Sequence, residues 1–151
     1  AEAVRAGASH AQVVERAEQV GQRSQVFGML ATLRYLAMSG RVGKIAAGMA
    51  DTLSIKPVLT VRDGKLDMLE KVRTRRKAME RLVELIKGSL VGKKIERLAL
   101  VHVCDPAGAQ ELHQRLCAAL DCPEQVVTVE FNPGLSVHAG AGLVGAVFVT
   151  D

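Results

Sequence analysis

Apolar positions along this chain change period several times, and each change marks an element. Ser9 reads as a helix N-cap, Val13, Val14, Ala17 and Val20 follow at helical spacing, and Gly21 reads as the stop. After a short apolar stretch at residues 26–28, Met29, Leu33, Leu36 and Ala37 form a second helical stripe that ends at Ser39-Gly40. Residues 42–53 continue as a small-residue helix with Ile45, Met49 and Leu53 on one side, so two short helices are expected to meet at Ser39-Gly40-Arg41. Residues 55–61 are rich in β-branched side chains, and after Asp63-Gly64 the positions Leu66, Met68 and Val72 resume the alternation: a β-hairpin.

Met79, Leu82, Val83, Ile86 and Leu90 fall on one face of a helix over residues 74–90. The continuous apolar run at residues 98–103 predicts a strand covered on both faces. Asp105-Pro106 then supplies the N-cap and first position of a helix carrying Ala109, Leu112, Leu116 and Leu120. Two more strands follow at residues 126–131 and 143–149, with Asn132-Pro133-Gly134 and a turn-like histidine segment between them. Helices alternating with strands predict an α/β (α+β) layered fold, and the hairpin demands an antiparallel pair, so the sheet is expected to be mixed and flanked by helices. No repeat or linker divides residues 1–151, which are read as one domain.

Composition narrows the possible functions. Apolar residues make up 48% and charged residues 24% of the 151, as in ordinary globular domains. With three Phe, one Tyr and no Trp the core must be aliphatic. The net charge of +4 favours anionic partners, but the aromatic platforms that single-stranded nucleic acids stack on are missing, so no nucleic-acid partner is expected. No run approaches the roughly 18 apolar residues of a membrane span, and no signal peptide is visible. Cys104, Cys117 and Cys122 are odd in number and lack framework spacing, which predicts reduced thiols in a cytoplasmic protein.

Candidate chemistry is sparse. Gly140-Ala141-Gly142-Leu143-Val144-Gly145 matches the dinucleotide-binding fingerprint in letters, but it leads into a strand with six residues remaining, where the fingerprint needs a helix and a later acid. His113 and Cys117 could share a helical face, without the paired spacing of a zinc site, and His102 reads as a core histidine. No catalytic triad, zinc-protease or phosphate-loop signature occurs, so no independent catalytic centre, cofactor or metal is expected. His138 is different: it sits in Ser136-Val137-His138-Ala139-Gly140-Ala141-Gly142, where the following residues add almost no bulk around the imidazole. Lys71, Arg73, Arg75, Arg76 and Lys77 form the densest charge run, ending in the first turn of a helix, where cations oppose the dipole. Either nearby carboxylates such as Glu70 and Glu80 offset that cost, or an anionic ligand or acidic partner does.

Several segments, in order, carry a family resemblance: Leu36-Ala37-Met38-Ser39-Gly40-Arg41-Val42, Ile55-Lys56-Pro57-Val58-Leu59, Asp63-Gly64-Lys65, Lys71-Val72-Arg73-Thr74-Arg75-Arg76-Lys77-Ala78 and Val137-His138-Ala139-Gly140-Ala141-Gly142. Together they resemble the C-terminal lobe of the DegV family, bacterial two-lobed proteins that hold a long-chain fatty acid between their lobes. Some members are the binding component of a fatty acid kinase. The resemblance implies that His138 bonds the fatty acid carboxyl, that Arg41 and Arg73 lie near the head group and the kinase-facing surface, and that Arg75, Arg76 and Lys77 contact the partner or an anion.

Ser39 stands where the family usually has glycine, and Ala139 and Ala141 where Thr and Pro are more common. The resemblance also implies a non-catalytic, cytoplasmic binding lobe whose phosphoryl chemistry belongs to a partner kinase. The N-terminal lobe has no counterpart in this chain, which is therefore expected to hold half a site. Two rival readings stand beside it: an interaction domain that docks an acidic protein through the basic turn, and a small-molecule enzyme using His138 as general base.

Overall fold

A computed structural model of the chain describes residues 1–40 and 55–151. Arg41 and the helix expected over residues 42–53 lie outside the described residues. A short helix α1 (Glu2–Arg5) leads into α2 (His10–Arg23), whose N-cap Ser9 and Gln12 bond each other's backbone N–H reciprocally. Gly21 does not stop α2. The helix runs two residues further and passes at Ser24 directly into strand β1 (Ser24–Met29), so residues 26–28 belong to a strand. Met29 is therefore in β1 as well, and the helix expected from it shrinks to α3 (Arg34–Met38).

The hairpin forms as expected, from β2 (Lys56–Arg62) and β3 (Lys65–Val72). Its two turn residues, Asp63 at φ 51° and Gly64 at φ 70°, take the left-handed conformations that a tight two-residue connection needs. Helix α4 (Arg75–Ser89) follows, its first turn capped by the Thr74 hydroxyl, which accepts from the Lys77 N–H. Strand β4 (Ile95–His102) and helix α5 (Pro106–Ala119) come next, and the Asp105 carboxylate caps α5 by accepting from the Gly108 N–H. Strand β5 (Val126–Glu130), helix α6 (Pro133–Ala139) and strand β6 (Val144–Thr150) complete the chain.

The six strands form one mixed sheet in the order β3-β2-β1-β6-β4-β5, antiparallel throughout except for the parallel β4–β5 pair. Alternation along each strand separates two faces. Phe27, Met29, Val58, Leu98, Leu100, Val144, Ala146 and Phe148 point to the first, where α4 contributes Met79, Leu82 and Ile86 and α5 contributes Ala109, Leu112 and Leu116. Phe27 and Phe148 stack at 5.9 Å across β1 and β6.

Among the described residues the second face is covered at one end by α3 and α6, where Leu30, Leu33, Leu36, Leu59, Val101, Val103, Ala139 and Leu143 form a smaller cluster, and is flanked near Arg97 and Val149 by α1 and α2, with Glu2 paired to Arg97. Away from that end Val61, Leu66, Val127 and Val129 are exposed. Residues 98–103 are covered on both faces as their apolar run predicts: all are buried except Ala99, which is half-buried.

The cysteines also differ from expectation. Cys117 and Cys122 are joined as a disulfide, and Cys104 alone is a free, exposed thiol. The last turn of α5 ends at Leu120 in extended backbone, which swings Cys122 back to within a 5.2 Å Cα separation of Cys117. No helix among the described residues is long and apolar enough to cross a membrane. None of them forms a group of three or more His, Cys, Asp or Glu arranged to hold a metal ion.

Candidate functional site

The histidine segment is a helix, not a turn. Asn132 and Pro133 open α6 as Asp105 and Pro106 open α5, with the Asn132 carboxamide oxygen accepting from the Leu135 N–H at 3.1 Å. One helical turn then places Leu135, His138 and Ala139 at i, i+3 and i+4, on a common face. All three line a cleft of about 250 Å³ on the half-covered face of the sheet.

The floor of that cleft is set by two glycines. Gly28 on β1 and Gly145 on β6 are register partners, so the sheet carries no side chains at its centre. Strand packing enforces the gap, because a Cβ on Gly145 would fall 2.6 Å from the Phe27 carbonyl oxygen. Val26, Leu59, Val61 and Leu66 wall one side of this depression, Val101, Phe131 and Leu135 the other, and Leu30, Leu36 and Leu143 the covered end. Thr60 and His138 are the polar side chains of the lining, and the Thr60 hydroxyl donates to the Val26 carbonyl at 2.7 Å. The imidazole of His138 therefore stands at the rim of an almost wholly apolar trough.

The chain after His138 is held in place by neighbours on α3 and on the β1–α3 connection. Gly140 has φ 76° and ψ 161°, and the Tyr35 ring occupies the space that a Cβ there would take. Gly142 packs against the Ala31 methyl and donates its N–H to the Val103 carbonyl at 2.8 Å. Ala31 is itself fixed, since its carbonyl accepts from the Lys56 ammonium at 2.7 Å. The glycines thus serve close approach by this chain's own groups, and Gly145 lies inside β6, which removes the dinucleotide-fingerprint geometry altogether.

The basic run lies elsewhere. Arg73, Lys71 and Lys77 line a separate hollow with Glu70, Thr74 and Arg81, at the junction of β3 and α4. Arg75 has an internal partner: its guanidinium pairs at 2.8 Å with the half-buried Asp105 and so ties α4 to the N-cap of α5. Arg76 pairs with Glu80 at 3.3 Å. Glu70 goes to Arg81 instead, which donates to both carboxylate oxygens and also bonds Glu84.

Among the described residues no carboxylate pairs with Lys71, Arg73 or Lys77, so these are the cations of the run left to solvent or a partner. His138 and Arg73 line different hollows, and Arg41 falls outside the described residues.

Hydrogen bonds from Arg81, followed by its charge, hold the Glu70 carboxyl below its usual 4.5. A depressed carboxyl stabilises the fold above its unfolded pKa and loses that contribution as pH falls through the folded one. Glu70→Gln is therefore expected to be less stable than the native chain to urea at neutral pH. The two should become equal once acid has protonated Glu70, as urea unfolding followed by circular dichroism would show.

The family model described as "Uncharacterised protein, DegV family" matches residues 1–151, and the chain belongs to the DegV family. A DegV domain-containing protein of Mycobacterium tuberculosis is 35% identical over 133 residues, which are 88% of this chain and 47% of that protein. The chain spans about half the length of the curated relatives it matches. The structure of a fatty acid binding DegV family protein from Streptococcus agalactiae superposes with a TM-score of 0.81 at 28% identity, covering 98% of this chain and 52% of that one. A fatty-acid-binding DegV family protein from Thermus thermophilus gives 0.87 at 26% identity, covering 99% of this chain and 54% of that one.

Proposed function

We propose that this chain is the C-terminal lobe of a two-lobed cytoplasmic protein that binds a long-chain fatty acid, and that the acyl tail lies in the trough over Gly28 and Gly145 with its carboxyl at His138. The observation that carries this reading is the trough itself: an open apolar depression on a partly covered sheet face, lined by one imidazole. Sites that enclose a small ligand run to about 300–1,000 Å³. The 250 Å³ trough falls short of that and stands open, as half of a shared site should. An imidazole N–H donating to a carboxylate forms a charge-assisted bond, strengthened where the lipid excludes water.

Under this reading the lobe is non-catalytic. It presents the carboxyl to a partner kinase that brings nucleotide and metal and makes the acyl phosphate. Arg41 accompanies the head group, and Arg73 with Lys77 serves the kinase-facing surface. Arg75 and Arg76, having internal partners, contribute to that surface mainly through their charge. Similarity to fatty-acid-binding DegV proteins supports the ligand class.

Native mass spectrometry of the two-lobed parent, purified without organic solvent, tests the proposal. A fatty acid is expected to remain bound to the parent and to be absent from residues 1–151 alone. An empty parent that still captures an acidic protein partner would favour the interaction-domain reading instead, and a fatty acid held tightly by the isolated lobe would overturn the half-site.

A further inference from the structure

The Cys117–Cys122 pair lies away from the trough and from the basic turn, at the opposite edge of the fold, and three features there converge. First, the pair is accessible: Cys117 is exposed in the last turn of α5, while Cys122 is half-buried against the main core. Second, Cys117 borders a hollow of about 540 Å³ that Lys87, Lys93 and Lys94 also line, with Asp121 as its one acidic member. The Lys94 backbone N–H bonds Asp151 and the Lys93 backbone N–H bonds the Leu90 carbonyl, but no ion pair within the described residues engages the three ammonium groups. Third, the bridge closes the connection into β5, an edge strand paired on one side with β4, whose single half-buried side chain, Val126, packs against the main core.

We propose that Cys117–Cys122 is a reversible thiol–disulfide site that exchanges with anionic low-molecular-weight thiols, and that its redox state sets the stability of the β5 edge. Ammonium groups beside a sulfur favour the thiolate and concentrate anions around it. Reduction begins when an external thiolate attacks the exposed Cys117 sulfur. The S–S bond breaks, Cys122 leaves as a thiolate and takes a proton, and Cys117 is left in a mixed disulfide. A second external thiolate attacks the external sulfur of that bond and releases Cys117 as a thiolate.

In sum, one protein disulfide and two thiols give one protein dithiol and one small disulfide, with two electrons passing to the protein. The reverse reaction takes the small disulfide as oxidant. In a reducing compartment a disulfide that persists is more often of this labile, exchanging kind than a permanent brace. Loss of the short loop frees the residues that lead into β5, and Phe131, which follows β5 directly, is a wall of the trough. The redox claim itself does not depend on the lipid reading.

The chain is equilibrated in buffers of varied reduced-to-oxidised glutathione ratio, quenched with an alkylating agent, and weighed intact. Cys104 adds an alkyl group or a mixed disulfide according to the ratio, and Cys104→Ser removes that background. Conversion between dithiol and disulfide is expected within the accessible ratios. A pair that stays fully oxidised in millimolar reduced glutathione, or fully reduced in excess oxidised glutathione, overturns the proposal.

Hydrogen exchange provides the second readout. Amides of residues 126–130 should exchange roughly tenfold faster in the reduced form, and equal rates in the two forms would remove the claim about β5. With Lys87, Lys93 and Lys94 changed to Gln, reduction by glutathione should slow relative to reduction by uncharged 2-mercaptoethanol. An unchanged ratio would dismiss the role of the lysines.

Discussion

Replacing His138 with alanine is expected to weaken binding of a long-chain fatty acid by the two-lobed parent while leaving the fold of this lobe intact. The imidazole is half-buried at the end of a seven-residue helix, whose buried apolar contact is made by the neighbouring Ala139. Removing it deletes one hydrogen bond to a charged group, worth about 1.5–3 kcal/mol, and so raises Kd by about 10- to 100-fold. His138→Gln retains an N–H donor and should fall between alanine and native. Displacement of a fluorescent fatty acid measures both, and an alanine variant with native affinity would remove His138 from the head-group site.

Among the described glycines, Gly140→Ala should produce the largest loss of stability from a single methyl group. The backbone there, at φ 76° and ψ 161°, lies in a region open essentially to glycine alone, and an alanine held in it costs about 1–3 kcal/mol. The new methyl would also fall on the Tyr35 ring, adding about 1–3 kcal/mol of overpacking. At about 2–4 °C per kcal/mol for a chain of this size, Tm should drop by about 5–20 °C. The double variant Tyr35→Ala/Gly140→Ala should recover the packing part and not the backbone part, so the two changes are non-additive. A Gly140→Ala chain melting with the native one would show that the helix end after His138 is not fixed by Tyr35.

The sequence makes the amphipathic elements legible and hides those whose form depends on distant neighbours. Helices α4 and α5 appear in it, α5 with its cap at Asp105, because periodic apolar faces and local side-chain caps are short-range properties. The hairpin is equally plain, since Asp63-Gly64 dictates its own turn. Strand β1 is obscured by its six-residue length and by Gly28, which weakens a strand pattern and makes sense only once Gly145 lies opposite. Helix α6 did carry a signal, the same cap-then-proline pair that marks α5, but its single apolar turn is too short to show a period. The disulfide depends on the chain doubling back after Leu120, which spacing alone does not reveal.

The same division runs through the site. His138 stands out in the sequence for the small residues around it, and the structure places it in the trough. The trough itself is absent from any local pattern, because its floor joins residues more than a hundred positions apart. In the basic run the local partner Glu80, which takes Arg76, was legible, and the more distant partners were not. Asp105, thirty residues from Arg75, takes up that guanidinium, and Arg81 rather than Lys77 takes Glu70.

The most direct measurement is a crystal structure of the two-lobed parent with a bound long-chain fatty acid. The expected result is a carboxyl oxygen within hydrogen-bonding distance of the His138 imidazole, about 2.7–3.2 Å, with the acyl chain running over Gly28 and Gly145. A fatty acid whose carboxyl lies away from His138, or whose tail avoids the open face of this sheet, would contradict the assignment of this lobe as half of the lipid site.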